Sequence, residues 1–308
     1  MFVLAHLSDP HLGPIPEARL SELLGKRFFG MMNWISARRR NFGAATLAPL
    51  VADIHAQAPD HICVTGDLVN VSLPAEFDTG AAFLAALGAP DKVSVIPGNH
   101  DAYVRSAMHH HLERWAPFLA GDAGAPHSPV DVAAFPYVRR RGPVALVGVS
   151  TAVPTAVFMA SGKVGEAQRE RLRRLLAGLK DEGLFRVVMI HHPPVGERHF
   201  HRDLTDAEAV RAVLAEAGAE LVLHGHDHRA SLGHIPAADG GAIPVVGVPS
   251  ASAGPNDPRG AGGYCLYRIE GGPGRWRCEM ERRGYAPGSA TVHRIAAQVL
   301  RAPAMAAA

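Results

Sequence analysis

Hydrophobic and polar positions along the chain fall into two textures. In the first, short apolar or β-branched runs end abruptly in polar residues. Phe2–Leu7 runs into Ser8-Asp9-Pro10-His11, 61–65 into Gly66-Asp67, and 92–96 into Pro97-Gly98-Asn99-His100-Asp101. Likewise 186–190 runs into His191-His192-Pro193-Pro194, and 220–223 into His224-Gly225-His226-Asp227-His228. Near-continuous apolar runs of this length predict strands buried on both faces. In the second texture, apolar residues recur at helical spacing. Leu47, Leu50, Val51 and Ile54 share one face of a helix predicted over 44–57. Leu172, Leu175, Leu176 and Leu179, opposite Arg169, Arg173 and Arg174, predict another over 166–180. Thr205-Asp206-Ala207-Glu208 has the form of an N-terminal cap ahead of Val210, Val213 and Leu214. Strands alternating with helices predict an α/β protein with a largely parallel sheet.

Beyond about residue 233 the helices stop. Runs at 243–248, 263–269 and 276–282 read as strands joined by Gly/Pro turns, with Gly271-Gly272-Pro273-Gly274 as a hairpin connection. An antiparallel portion is therefore expected after the α/β portion. The division is one catalytic domain over 1–285 and a C-terminal extension over 286–308, whose end, 302–308, is too poor in core residues to pack.

Composition narrows the picture. Of 308 residues, 47% are hydrophobic and 19% charged, which excludes a chain disordered along its length. Lys and Arg number 31 against 29 Asp and Glu, and a net charge of +2 excludes bulk nucleic-acid binding. No apolar run reaches the length of a membrane span. The start lacks a basic leader, so a cytoplasmic location is expected. Three cysteines, Cys63, Cys265 and Cys278, form no Cys-x-x-Cys pair and fit a reducing compartment. Cys63 reads as a core residue, and Cys265 and Cys278 as unbonded thiols facing each other across adjacent strands. The outlier is histidine, with 18 copies.

Histidines and carboxylates concentrate in the five polar segments, each just after a predicted strand. That edge of an open α/β sheet is where ligands bind. Asp9, His11, Asp67, Asn99, His100, His191, His224 and His226 offer oxygen and imidazole donors without thiolate, a set suited to Mn, Fe, Zn or Ni. Asp9-x-His11 and His224-x-His226 are i, i+2 pairs, which project to one side of an extended segment.

In order and spacing, these motifs resemble the calcineurin-like metallophosphoesterase superfamily. The Gly-Asn-His-Asp form at 98–101 and the closing His-Gly-His-x-His resemble its bacterial class III cyclic-nucleotide phosphodiesterases and glycerophosphodiesterases. The resemblance implies a four-layer α/β/β/α sandwich of two mostly mixed sheets. It implies two divalent metal ions, one on Asp9, His11 and His226, the other on Asn99, His191 and His224, with Asp67 between them. His191 is preferred over His192 because the ligand in such proteins directly follows the strand. Two cations so placed clamp the attacking and leaving oxygens of an in-line phosphoryl displacement and supply hydroxide at neutral pH. His100 would aid the leaving group, and Asp101 would orient its imidazole.

The expected activity is thus phosphodiester hydrolysis. A cyclic nucleotide is the favoured substrate, and a glycerophosphodiester or a lipid-linked phosphate or pyrophosphate at a membrane surface is the alternative. A dead phosphoesterase scaffold serving as a binding module is a more distant reading, because such proteins lose ligands that this chain keeps. A repair nuclease would need a basic groove that +2 does not supply.

Other features stand outside the motif. His6 lies within a strand and reads as a core histidine, and His228 as an exposed one. Consecutive helical residues point about 100° apart, so His109, His110 and His111 cannot share one ion and read as a solvated face. Phe28, Phe29, Trp34, His199 and His201 are candidate substrate contacts, with Phe200 a further aromatic. Segment 14–40 leaves from just beyond His11, is rich in Leu, Phe and Met, and carries Lys26, Arg27, Arg38, Arg39 and Arg40. It reads as an extra helix packed on the body, as a lid, or as a basic amphipathic patch meeting anionic lipid. Pairing of two copies through 233–263 is expected by analogy with relatives.

Overall fold

The computed structural model describes residues 1–38, 43–122, 135–197, 199–238, 240–286, 289 and 291–302. In chain order the strands are β1 (Phe2–Leu7), β2 (His61–Val64), β3 (Val93–Val95), β4 (Tyr137–Arg141), β5 (Val144–Gly148) and β6 (Phe185–Met189). They continue with β7 (Leu221–His224), β8 (Ser231–Pro236), β9 (Ala242–Gly247), β10 (Gly263–Glu270), β11 (Arg277–Tyr285) and β12 (Val292–Arg301). The helices are α1 (Lys26–Asn33), α2 (Ala44–Ala56), α3 (Pro74–Leu87), α4 (Met108–Arg114), α5 (Ala116–Leu119), α6 (Glu166–Asp181) and α7 (Ala207–Ala217).

Two six-stranded sheets result, ordered β12-β11-β10-β1-β2-β3 and β4-β5-β6-β7-β9-β8. In the first, β1, β2 and β3 are parallel and β10 to β12 antiparallel. In the second, β5, β6, β7 and β9 are parallel, with β4 and β8 antiparallel at the two edges. Both sheets are mixed, as the resemblance implied. The antiparallel portion expected after residue 233 is confined to β8 and β10–β12, because β9 returns to pair parallel with β7.

Strand alternation assigns the layers. Val144 and Leu146 of β5, Val187 and Met189 of β6, and Leu221 and Leu223 of β7 join the core shared with the first sheet. The intervening Ala145, Val147, Val188 and Val222 pack instead on Leu172, Leu176 and Leu179 of α6 and Val210 and Leu214 of α7. This is the period-two geometry of a strand buried on both sides. Across the first sheet, Tyr264 of β10 donates its hydroxyl to Asp53 of α2 at 2.6 Å, and Arg283 of β11 binds the same carboxylate at 2.7 and 2.8 Å. Helices thus cover both outer faces, and Tyr137 donates to the Val95 carbonyl at 2.8 Å between the sheets.

Several expectations change. Within the segment expected as a C-terminal extension, Val292–Arg301 is β12, an edge strand paired with β11; residues 303–308 lie outside the described residues. Its exposed face gave no apolar run to read. Cys265 pairs across the ladder with Arg282, and Cys278 with Ile269, so the two thiols do not face each other. Both are free and buried, and burial pushes each thiol up to about 12. His6 does hold a core position, 2.9 Å from Thr65 Oγ1. The triple histidine is not a solvated face: His109 is exposed, but His111 is buried beside Phe77 and Trp115. With Glu113, His109 and His110 bring donor atoms within 4.8 Å of one another, so neighbouring helical histidines converge more than their backbone angle suggested.

One buried ion pair fastens the second sheet to its helices. Arg186 makes two bonds of 2.9 Å to Glu220 and also reaches the carbonyls of Leu176 and Ala217. Removing one partner of such a pair leaves the other charge buried. Glu220→Ala is therefore expected to lower the unfolding free energy by about 3–5 kcal/mol in urea titration. The double change Arg186→Met with Glu220→Leu is expected to cost less than Glu220→Ala alone.

Candidate metal centre

The polar segments all leave the same edge, where the parallel strands of both sheets end. Neighbouring loops are zipped by backbone bonds: the amides of Asp9, His11 and Leu12 donate to the carbonyls of Gly66, Asp67 and Leu68 at 3.0, 3.1 and 2.8 Å. A parallel bridge between Ser8 and Ser250 joins the end of β1 to the segment after β9. The amide of Gly225 donates to the carbonyl of His191 at 3.2 Å. Asp9, His11, Asp67, His226 and His228 all have positive φ, between 38° and 70°. Non-glycine residues hold this region only where surrounding structure imposes it, and such positions cluster at functional sites. Glycine allows the closest approaches: a methyl group on Gly225 would strike Ser8 Oγ and Asp9 Oδ2, and one on Gly98 would strike Asp67 Oδ1.

Two groups of donors result. Asp9, His11, Asp67 and His228 converge, fully buried, with donor atoms within 4.8 Å of one another. His228 Nε2 lies 3.2 Å from Asp9 Oδ1 and 3.1 Å from His11 Nε2. In the second group, Asn99 Oδ1 lies 3.2 Å from His191 Nε2 and 2.9 Å from His226 Nδ1. Asp67 Oδ2 faces both, 3.9 Å from His11 Nε2 and 3.4 Å from His191 Nε2. The far nitrogens are engaged elsewhere. His11 Nδ1, His191 Nδ1 and His226 Nε2 lie 3.3, 2.6 and 2.8 Å from the carbonyls of Val69, Thr65 and Arg202. A ring nitrogen bonded to a carbonyl must carry the proton, which leaves the other nitrogen's lone pair for a metal.

This donor set fits two divalent cations. Asp9 Oδ1 is buried with no hydrogen-bond donor in line. Burial alone would raise the Asp67 carboxyl, yet His191, His100 and His11 hold it well below the usual carboxylate range. Burial likewise pulls His191 down, and the Asp67 carboxylate more than offsets it, lifting the imidazole to about 10. Two buried carboxylates thus collect the positive charge around them.

The geometry corrects the expected register of the last motif. The structure brings His226 and His228 to the two donor groups, and leaves the expected His224 out of both. His224 is the final residue of β7, with Nδ1 2.9 Å from the Gly225 carbonyl and Nε2 3.2 Å from Ser231 Oγ. His226 moves to the Asn99–His191 group, and the histidine expected to be exposed, His228, completes the Asp9–His11 group. A signal for this existed: in every other motif the donors follow the strand end, whereas His224 lies within the strand. His192 also converges with His191 and His226, its ring nitrogens 2.7 Å from Thr151 Oγ1 and 2.9 Å from the Ala160 carbonyl, but it is His191 that faces Asp67 Oδ2 and Asn99 Oδ1.

His100 stands at the mouth of the centre. Its amide donates to Asp67 Oδ1 at 2.7 Å, and its ring meets that of His11 edge-on at 4.8 Å. Contrary to expectation, the Asp101 carboxylate is not directed at the His100 ring. The Asp101 carboxylate accepts the amides of Asp67, Leu68, Val69 and Gly98 at 2.8–3.1 Å. His100 Nδ1 is held instead by the Asn70 carbonyl at 2.5 Å. Asp101 is therefore the post on which the Asp67 and Asn99 loops are hung.

The expected substrate contacts scatter. His199, Phe200, Arg202 and Arg211 line a cavity of about 470 Å³ that includes His226. His201 is exposed and lies outside that lining. Trp34 stands against the His11 loop, with Cζ2 3.7 Å from where Gly13 would carry a Cβ. Phe28 and Phe29 are about half exposed, on α1. Arg39 and Arg40 lie outside the described residues.

The register is testable by metal content. His228→Ala is expected to bind about one Mn²⁺ fewer per chain than wild type in equilibrium dialysis, and His224→Ala to keep the wild-type stoichiometry. Asp101→Ala leaves four buried amides without an acceptor, and is expected to lower the melting temperature of the metal-free protein.

Known proteins place this arrangement. No curated protein sequence matches the chain. A dimetal phosphatase from Danio rerio superposes with a TM-score of 0.59 at 15% identity, covering 96% of this chain and 98% of that one. A purple acid phosphatase from yellow lupin seeds superposes with a TM-score of 0.56 at 12% identity, covering 95% of this chain and 52% of that one. At such identities the likeness is one of fold. The calcineurin-like phosphoesterase family model matches residues 2–230. The chain therefore belongs to the calcineurin-like phosphoesterase family, hydrolases built around a dinuclear metal centre.

Proposed function

We propose that the protein hydrolyses phosphodiesters at two divalent cations, one held by Asp9, His11 and His228 and the other by Asn99, His191 and His226. The observation that carries this reading is Asp67 Oδ2, which faces both donor groups at once. When bound, two such cations polarise the phosphoryl oxygens and bring a water's pKa near neutrality. A shared carboxylate offsets the repulsion between cations at short separation, and the neutral Asn99 adds an oxygen donor without weakening them as Lewis acids.

The chain's own residues supply the rest. With Nδ1 fixed on the Asn70 carbonyl, His100 is left to act through Nε2. As the imidazolium, it gives that proton to the departing alkoxide oxygen, which a diester needs because its leaving group is a poor one. The Tyr103 ring stacks on the imidazole at 5.4 Å and 13°, which fixes its plane. The cavity beside His226 is the place for the alcohol portion. A cyclic nucleotide, the diester favoured by the sequence motifs, would set its base and ribose there, against Phe200 and Arg202. A lipid-linked phosphoester is favoured by a separate observation, the exposed apolar surface of the segment that follows His11.

The test is hydrolysis of bis(p-nitrophenyl) phosphate beside p-nitrophenyl phosphate, on protein stripped of metal and then given Mn²⁺. Diester turnover is expected to return with metal and to vanish in Asp67→Ala. His100→Ala is expected to lose about 10²–10⁴-fold in kcat with its metal content intact. Turnover of the monoester alone would overturn the diesterase reading.

A further inference from the structure

The segment between His11 and α2 turns its polar and apolar groups the wrong way round for a surface helix. Lys26 of α1 reaches inward, its Nζ 2.7 Å from Thr155 Oγ1, 3.0 Å from the Met159 carbonyl, and 4.4 Å above the Tyr103 ring. Arg27 also points to the body and donates to the carbonyls of Val71 and Ser72 at 3.1 and 2.6 Å. The apolar side chains are left outside. Leu20 is 87% exposed, Leu24 75%, and Met32 and Ile35 each 52%. Phe29 touches Phe28 and Phe158 with ring centroids 5.6 and 5.5 Å away, and Phe158, 79% exposed, widens the patch from the loop after β5. Single exposed apolar residues are ordinary, but a contiguous group of them marks a binding surface.

We infer that this apolar surface docks on an anionic lipid bilayer, so that the metal centre receives a lipid-borne phosphoester. The substrate part of the inference rests on the hydrolase reading above; the docking part does not.

Charge selects the occupant. Six of the chain's 31 Lys and Arg and two of its 29 Asp and Glu fall within 14–40, so this segment carries +4 and the remainder of the chain −2. A second copy would bring two segments of like net charge together, whereas anionic headgroups complement that charge. Three of the six, Arg38, Arg39 and Arg40, follow the apolar stripe directly in sequence. Juxtaposed cations and apolar side chains are the composition of an interfacial segment. No helix among the described residues is long and apolar enough to cross a membrane, so the contact is one of lying on the surface.

The surface is continuous with the site. Gly30 of α1 lies so near Tyr103 that a Cβ there would come within 2.6 Å of its hydroxyl oxygen, and Tyr103 stacks on His100. At the far end of α1, Trp34 stands against Gly13, two residues beyond His11. One side chain therefore separates the apolar surface from the residue that serves the leaving group. A phosphoester at a bilayer surface would enter beside α1, while its hydrocarbon stays among Leu20, Leu24 and Met32.

The experiment compares the full-length wild type with the double variant Leu24→Asp/Met32→Asp in cosedimentation with phosphatidylcholine vesicles, with and without phosphatidylglycerol. Wild type is expected to bind the phosphatidylglycerol vesicles and to be released as salt rises. The double variant, folded by circular dichroism, is expected to bind about a hundredfold more weakly. Its turnover of soluble bis(p-nitrophenyl) phosphate should match wild type, while a p-nitrophenyl alkyl phosphodiester carried in the vesicles is cleaved by wild type only. Wild type that ignores both vesicle types, or a variant that binds as well as wild type, overturns the docking. A lipid-independent dimer that the variant abolishes also overturns it, in favour of a second copy. Vesicle binding by a protein that turns over neither ester upholds the docking and overturns the hydrolase reading.

Discussion

Two carboxylates, Asp9 and Asp67, are buried where the ends of both sheets meet, and the surrounding structure depends on making that tolerable. A buried anion is costly unless it is paired, and two neighbouring anions more so. Here each is ringed by imidazoles: His228 and His11 against Asp9, and His191 and His11 against Asp67. The Asp67 carboxylate beside His191 raises that imidazole despite its burial, so the pocket favours positive charge. Divalent cations answer the same demand with more charge per site and fixed directions, which is why this donor set fits them.

Such a cluster cannot be assembled on one sheet. Asp9, His11, Asp67 and Asn99 come from loops of the first sheet, and His191, His226 and His228 from loops of the second. Register between the sheets is then a functional quantity. It is held by the Ser8–Ser250 bridge, by Tyr137 reaching the Val95 carbonyl, and by a core with side chains from both sheets. Asp101 does the same work within the first sheet, gathering four amides from two loops onto one carboxylate. The positive φ values of five site residues are the local cost of pointing so many donors inward, and the paired backbone on either side offsets it.

The rim has a different logic. On one side, the cavity beside His226 is lined by a mixture of charged groups, among them Arg202, Arg211 and Asp227, and apolar ones, among them Pro194, Phe200 and Leu204. On the other, α1 presents Phe28, Phe29 and Met32 to the outside while its cations bind carbonyls of the body. The two sides would contact different parts of a substrate that carries both a polar and an apolar group. Tyr103 lies between α1 and His100, against Gly30 of the helix and stacked on the imidazole ring.

The sequence alone determined the chemistry and the frame. Apolar runs ending in Asp, Asn and His placed β1, β2, β3, β6 and β7 within a residue or two, because strands buried on both faces leave little compositional choice. Six of the seven predicted metal donors entered the centre for the same reason: donors in this fold follow strand ends. What the sequence could not carry were features decided by neighbours distant in the chain. β12 is exposed along most of its length and is a strand only because β11 offers it a free edge. Asp101 lies beside His100 in sequence, but its carboxylate is claimed by amides some 30 residues away. The pair His226 and His228 was separated from His224 only by where β7 ends, a boundary set by its ladders to β6 and β9. Which way α1 turns its cations was likewise settled by the carbonyls of Val71, Ser72 and Met159, which only the folded body brings beneath it. Local pattern fixed which atoms are available, and packing over long range fixed which of them meet.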